Sequence, residues 1–160
     1  MELKTLSEIE IISAASSKIN EVDFENLTFG NVFTDHMLVC DYKDGAWQKP
    51  VIEPYAPFMI DPSSKVFHYG QAIFEGMKAY KDEQDDVWLF RPDENFHRFN
   101  KSASRMAMPE VPEDVFIGGL HKLLEIEKDW VKKGKGNTLY IRPFMIATGH
   151  GVIAAPSSEY

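Results

Sequence analysis

The chain has 160 residues, 44% of them hydrophobic and 26% charged, with a formal net charge of −8 and one cysteine. This is the composition of one globular domain, able to bury roughly 70% of the surface its unfolded chain exposes. The acidic balance argues against non-specific nucleic-acid binding or attachment to an anionic membrane, so an anionic ligand has to be met by a locally placed cation. Cys40 alone excludes an intramolecular disulfide and a multi-cysteine zinc site, and it reads as a small core residue in a reducing, cytoplasmic compartment. Glu2, Glu8 and Glu10 surround short apolar runs with no basic region and no long apolar region, so no export signal is expected. No segment approaches the roughly 20 apolar residues that span a bilayer.

In chain order, Ile9 to Ile12 reads as a short strand and Ser13 to Glu25 as loop or frayed helix. Val32 to Tyr42 is rich in aromatic and β-branched residues, and Asp44-Gly45 turns it into Trp47 as a β-hairpin. Pro50, Pro54, Pro57 and Pro62 punctuate an extended segment. His68 to Phe74 is expected as a short helix ended by Gly76 in the left-handed conformation. Met77 to Tyr80 and Val87 to Phe90 flank KDEQDD as a second hairpin. Pro92, Asp93 and Glu94 suit a helix start, and Phe96, Phe99, Ala103 and Met106 recur at helical spacing. A further helix is expected from about Glu113 to Val131, burying Phe116, Leu120, Leu123, Leu124 and Trp130, before a strand at Thr138 to Ile146 and a break at TGHG. The alternation predicts an α+β fold, a two-layer sandwich of a mainly antiparallel sheet covered by helices.

Side chains alternate along TLYIRPFMI, so Tyr140, Arg142, Phe144 and Ile146 share one face while Leu139, Ile141 and Met145 face the core. A phenol and a guanidinium beside apolar residues suit a pocket that fixes a carboxylate and tolerates an apolar tail; a snorkelling arginine on an exposed strand is the alternative. Arg98, between Phe96 and Phe99, either presents a rigid fork to a phosphate or pairs on the surface with Glu94. His36, His68, His97 and His150 show no metal-ligand spacing. TGHG is too short for a nucleotide cradle and no helix clearly follows it.

The blocks FGNVFTDHMLV, HYGQAIFEGMKAY, LFRPDENFHRFNKSASRMAMPEVP, KDWVKKG and LYIRPFMIATG, in this order, resemble the N-terminal part of branched-chain amino acid aminotransferases, fold-type IV enzymes that use pyridoxal 5′-phosphate. The resemblance runs from about Phe24 to the end. It implies that Arg98 binds the cofactor phosphate and that Tyr140 and Arg142 line the substrate side-chain pocket. It further implies that Phe29, Tyr69 and Phe74 form the pocket's apolar and aromatic walls, and that Val152 lies near a loop that reaches a neighbouring subunit's site. The implied partners are branched-chain amino acids, their 2-oxo acids and glutamate, in a homodimer or higher homo-oligomer.

Relatives in that family are about twice as long, and their Schiff-base lysine lies in a second domain. Lys78, after Glu75-Gly76, matches a structural basic position, and the other lysines sit in polar runs. Residues 1–160 are therefore expected to be the N-terminal small domain, without the lysine-bearing domain and without a closing element after PSSE. A D-amino acid aminotransferase, an aminodeoxychorismate lyase and a non-catalytic binding or dimerisation module of the same fold are the alternatives.

Overall fold

A computed structural model describes residues 8–160; Glu2 and the rest of the first seven residues, on which part of the export-signal reading rests, lie outside the described residues. The chain starts with β1 (Glu10–Ile11) and two single 3-10 turns, Ile19–Glu21 and Phe24–Asn26, in the segment read as loop or frayed helix. Next come β2 (His36–Val39), β3 (Tyr42–Lys43), β4 (Ala46–Trp47) and β5 (Val51–Pro54). β5 is the centre of a three-stranded sheet, antiparallel to β2 and parallel to β1. β3 and β4 form a hairpin at the expected Asp44-Gly45 turn, but only Tyr42 and Lys43 pair across it; β2, inside the Val32 to Tyr42 run read as its first strand, pairs with β5 instead. Asp44 and Gly45 both have positive φ, 53° and 78°, the turn whose twist matches that of the strands.

The segment around the His-Tyr pair differs from expectation. α1 (Lys65–Tyr69) starts earlier and ends at Gly70, whose φ is 63°, and Ala72–Phe74 is a strand, β6. Gly76 thus ends no helix. β7 (Met77–Lys81) and β8 (Val87–Leu89) pair antiparallel across the KDEQDD loop. α2 (Pro92–Arg105) has Pro92 at its start, two acidic residues in its first turn and Arg105 in its last. These features favour a helix through the missing N–H of proline and the helix dipole. Its buried residues are Phe99 and Ala103, four apart on one face, and it packs against β6.

The next helix is less regular than its periodicity predicts. A π-helical turn over Asp114–Gly118 leads into α3 (Gly119–Ile126), and a separate 3-10 turn, Lys128–Trp130, completes the segment. Phe116, Leu120, Leu124 and Trp130 are buried, while Leu123 is half-buried. The last strands are β9 (Leu139–Ile141) and β10 (Phe144–Ile146).

One continuous core joins Ile73, Met77, Ala79, Phe99, Phe116, Leu120, Leu124 and Met145. Tyr160 belongs to it as well, and its backbone pairs with that of Tyr42, so the last residues are packed where no closing element was expected. Cys40 packs on the core's edge, half-buried, with its thiol donating to the Gln48 carbonyl at 3.2 Å. The fold is α+β with all but one strand pairing antiparallel among the described residues, and its strands are divided among four small sheets.

Candidate functional site

The site is built on one antiparallel ribbon with a break in it. Pairs Ala72↔Ile146 and Phe74↔Phe144 join β6 to β10, and pairs Met77↔Ile141 and Ala79↔Leu139 join β7 to β9. Both sets keep the same register, so Glu75 and Gly76 stand opposite Pro143 and Arg142. Pro143 has no N–H to give the ladder, but its carbonyl accepts from the Glu75 N–H at 2.9 Å. The run read as one strand is thus interrupted at Arg142-Pro143 without losing its alternation.

That alternation separates two faces. Ile73, Glu75, Met77, Ala79 and Met145 are buried. Phe74, Gly76, Tyr140, Arg142 and Phe144 share the other face, where Phe74 and Phe144 are exposed. On it the Arg142 guanidinium lies 4.5 Å from the centre of the Phe74 ring and 5.2 Å from that of Tyr140, a cation over two aromatic faces. Arg142 Nη2 donates to Tyr140 Oη at 2.9 Å. Phe29, carried by the loop that precedes β2, packs edge-on against Tyr140 at 5.1 Å. Four predicted residues, Phe29, Phe74, Tyr140 and Arg142, therefore meet in one group.

Gly76 makes this packing possible. A Cβ there would lie 2.2 Å from Tyr140 Oη, so the phenol rests over bare backbone. Sequence reasoning took this glycine for a helix stop.

Tyr69 and Val152 form a second pair at the Ala72/Ile146 end of the ribbon. The Tyr69 hydroxyl donates to the Val152 carbonyl, and both side chains are exposed. The segment carrying Val152 is held by α1. Lys65 and Val66 N–H donate to the Gly149 and Ala147 carbonyls, and Gly151 N–H donates to the Ser63 carbonyl. Lys65 is itself buried, and its Nζ donates to the carbonyls of Ala155 at 2.6 Å and Ile153 at 3.3 Å. The expectation that every lysine outside Lys78 lies in a polar run is corrected by this residue. Its amine is enclosed but spends its N–H donors on two carbonyls, unlike a Schiff-base nucleophile, which needs a free lone pair.

Arg98 pairs with neither Glu94 nor another helix residue. Its Nε and Nη2 donate to the two carboxylate oxygens of Glu75 at 2.5 and 2.6 Å, while Glu94 pairs with Arg91 at 3.0 Å. The helix places Arg98 beside the ribbon break, and the side chain of Glu75 turns to meet it from the buried face. The Arg98 hydrogen bonds hold the Glu75 carboxyl below the usual carboxylate range, against the opposite pull of its burial. Asn95 Nδ2 donates to the Gly76 carbonyl at 3.3 Å, fixing α2 to the same break.

A buried polar network outside this site also escaped the sequence reading. Asp35 accepts from Trp130 Nε1 at 3.0 Å, Ser17 Oγ at 2.5 Å and Lys18 N–H at 2.8 Å, and Glu127 bonds both the Asp35 N–H and the His36 ring. It ties the segment around residue 17 to β2 and to the end of α3. Its members lie in the separate blocks FGNVFTDHMLV and KDWVKKG and around residues 17 and 127, too far apart along the chain for spacing to join them.

The ribbon face is open. Two shallow depressions lie away from it, one beside Trp47, Lys49 and Pro112 and one beside Lys18, Phe33 and Tyr55. Among the described residues no group of three metal-ligating side chains converges, and no helix is long and apolar enough to cross a membrane.

No family model matches the sequence. The chain is similar to branched-chain-amino-acid transaminase 1 of Bacillus subtilis, 52% identical over 139 residues that make up 86% of this chain and 39% of the relative. A probable branched-chain-amino-acid aminotransferase of Staphylococcus epidermidis is 53% identical over 138 residues, 86% of this chain and 38% of the relative. The branched-chain-amino-acid aminotransferase of Mycolicibacterium smegmatis is 44% identical over 148 residues, 91% of this chain and 40% of the relative. The chain thus spans about two fifths of the length of these curated relatives. The fold matches the branched-chain amino acid aminotransferases of Escherichia coli, TM-score 0.55, and Thermobaculum terrenum, TM-score 0.56. Each is 19% identical, and the matches cover 75% and 78% of this chain and 37% of each of those. Over most of its length the chain shares about half of its residues with these branched-chain amino acid aminotransferases, and it corresponds to about two fifths of such a protein.

Proposed function

We propose that residues 1–160 are the N-terminal small domain of a branched-chain amino acid aminotransferase, which moves the amino group of leucine, isoleucine or valine to 2-oxoglutarate. The observation that carries this reading is the face shared by Phe74, Tyr140 and Arg142. Its rings offer apolar surface to an aliphatic side chain, and its guanidinium offers a charged fork to a γ-carboxylate, as one pocket serving both substrates requires. Phe29, Tyr69 and Val152 extend the apolar wall. Because the face is open, the opposite wall comes from outside residues 1–160, from a second domain or a neighbouring subunit of the homo-oligomer.

Pyridoxal 5′-phosphate, named in the holo-form of the Thermobaculum terrenum enzyme, is the cofactor of this reading. Arg98 fits a phosphate on one side: Glu75 engages two of its nitrogens, and two thirds of the side chain remains exposed for an anion. When bound, the cofactor supplies the electron sink that lets an α-proton leave an amino acid. Arg98 anchors the phosphate, Arg142 and Tyr140 orient the substrate tail, and the Phe74 and Phe29 rings keep water from it. The lysine that takes the proton is not among residues 1–160. In this reading the complete enzyme works in the cytoplasm, a reducing compartment in keeping with the single cysteine, Cys40.

The test is Arg142→Met in the full-length enzyme carrying this sequence, followed by single-turnover measurements. The leucine half-reaction should stay within about a few-fold, and the glutamate half-reaction should fall roughly ten- to a hundredfold, the worth of one charge-assisted contact. Equal losses would mean that Arg142 supports the fold or the cofactor. No loss in either would leave it a snorkelling arginine.

A further inference from the structure

We infer that Glu75 is a positioning residue, whose buried carboxylate aims the anion-binding end of Arg98. This rests on the reading of Arg98 as the phosphate anchor.

The geometry assigns the role. Arg98 is exposed over 66% of its side chain, and left to itself an exposed arginine samples many rotamers. Its order comes from Glu75, which is 7% exposed and fixed at both ends. The Glu75 backbone N–H donates to Pro143, and its Oε1 also accepts the Gly76 N–H at 2.7 Å. Oε1 and Oε2 take Nη2 and Nε of Arg98 side-on, so the guanidinium plane can neither swing nor flip without breaking two charge-assisted bonds. Nη1 and the outer N–H of Nη2 stay clear of Glu75 and form a fork of constant direction. A ligand phosphate then meets a cation whose ordering has already been met by the fold.

Glu75 also brings a negative charge towards an anion site, which opposes binding. The opposition is weak, because the fork is exposed and charges in solvent are screened over about 8 Å at physiological salt. Orientation does not depend on salt. The two effects have opposite signs, so the direction of change on substitution identifies which one operates.

The experiment is a double-mutant cycle in the full-length apoenzyme, titrated with pyridoxal 5′-phosphate and, to isolate the phosphate contact from covalent attachment, with pyridoxine 5′-phosphate. Glu75→Gln removes the charge at constant shape; Glu75→Asp keeps the charge but draws it back from the guanidinium. Both should weaken binding of either probe by roughly three- to tenfold, the cost of ordering one long side chain, and neither should weaken it further when Arg98 is already Met. In arginine ¹⁵N spectra the separate Nη–H signals expected of a locked Arg98 should merge in both variants.

Several outcomes overturn the proposal. Tighter binding by Glu75→Gln means that charge alone matters. Unchanged binding by both Glu75 variants, with Arg98→Met weakening it, means that Arg98 acts unaided. Equal losses with and without Arg98 mean that Glu75 acts through the fold. If Arg98→Met itself leaves both affinities unchanged, the phosphate reading of Arg98 fails, and this inference fails with it.

Discussion

At Gly76 the site depends on the absence of one methyl group. A Cβ there would lie 2.2 Å from Tyr140 Oη and 3.0 Å from Cζ, so Gly76→Ala must push the ring away and part the phenol from Arg142. We predict a loss of about 1–3 kcal/mol in urea unfolding, the usual range for overpacking. Tyr140→Phe in the same chain should recover part of it, because the nearest atom is removed. No recovery would show that the glycine serves backbone conformation and not clearance. The Glu-Gly break was visible in the sequence, but its purpose was not. A glycine can supply a positive φ or room for a neighbour, and local sequence does not tell these apart. Here Gly70 does the first and Gly76 the second.

Among the elements, α1 is short but acts as a clamp. Its first N–H groups and the buried Lys65 ammonium hold the segment from Ala147 to Ala155, which carries Val152. We predict that Lys65→Met, which keeps length and apolar bulk, frees that segment. Amide exchange across residues 151–155 should speed up roughly ten- to a hundredfold, as expected for losing a charged donor to two carbonyls, while α2 is unchanged. Unchanged exchange at 151–155 would show that the backbone contacts of α1 are sufficient. Helix α2 was legible from its proline, its acidic start and its spacing because each of these acts within a few residues. The run from Thr138 to Ile146 was read as one strand and is two, since Pro143 removes a ladder donor; its faces survive because the register is kept.

On the scale of the whole molecule, two buried carboxylates couple stability to pH. Glu75 is lowered from an ordinary value of 4.5, chiefly by the Arg98 hydrogen bonds. Asp35 is lowered from 3.8: its burial acts to raise it, and hydrogen bonds from Lys18, Ser17 and Trp130 together outweigh that. A carboxylate depressed in the fold binds protons more readily once unfolded, so its stabilisation is complete above the ordinary value and is lost as pH falls through the folded one. The urea midpoint should therefore fall from about pH 5 to about pH 3, and Glu75→Gln should flatten that fall. An equal slope in the variant would remove Glu75 from the account. By itself the sequence determined the α+β alternation, the start of α2, the Asp44-Gly45 turn, the β7–β8 hairpin and the face that Tyr140 shares with Arg142, since these follow from periodicity and turn chemistry over short spans. Only the tertiary structure decided that Arg98 meets Glu75, 23 residues away, instead of Glu94 four residues away, that Phe29 reaches Tyr140, and that Asp35, Glu127 and Trp130 share one network. Those pairings depend on how a helix sits against a ribbon of fixed register, and that is set by burial of the common core rather than by spacing along the chain.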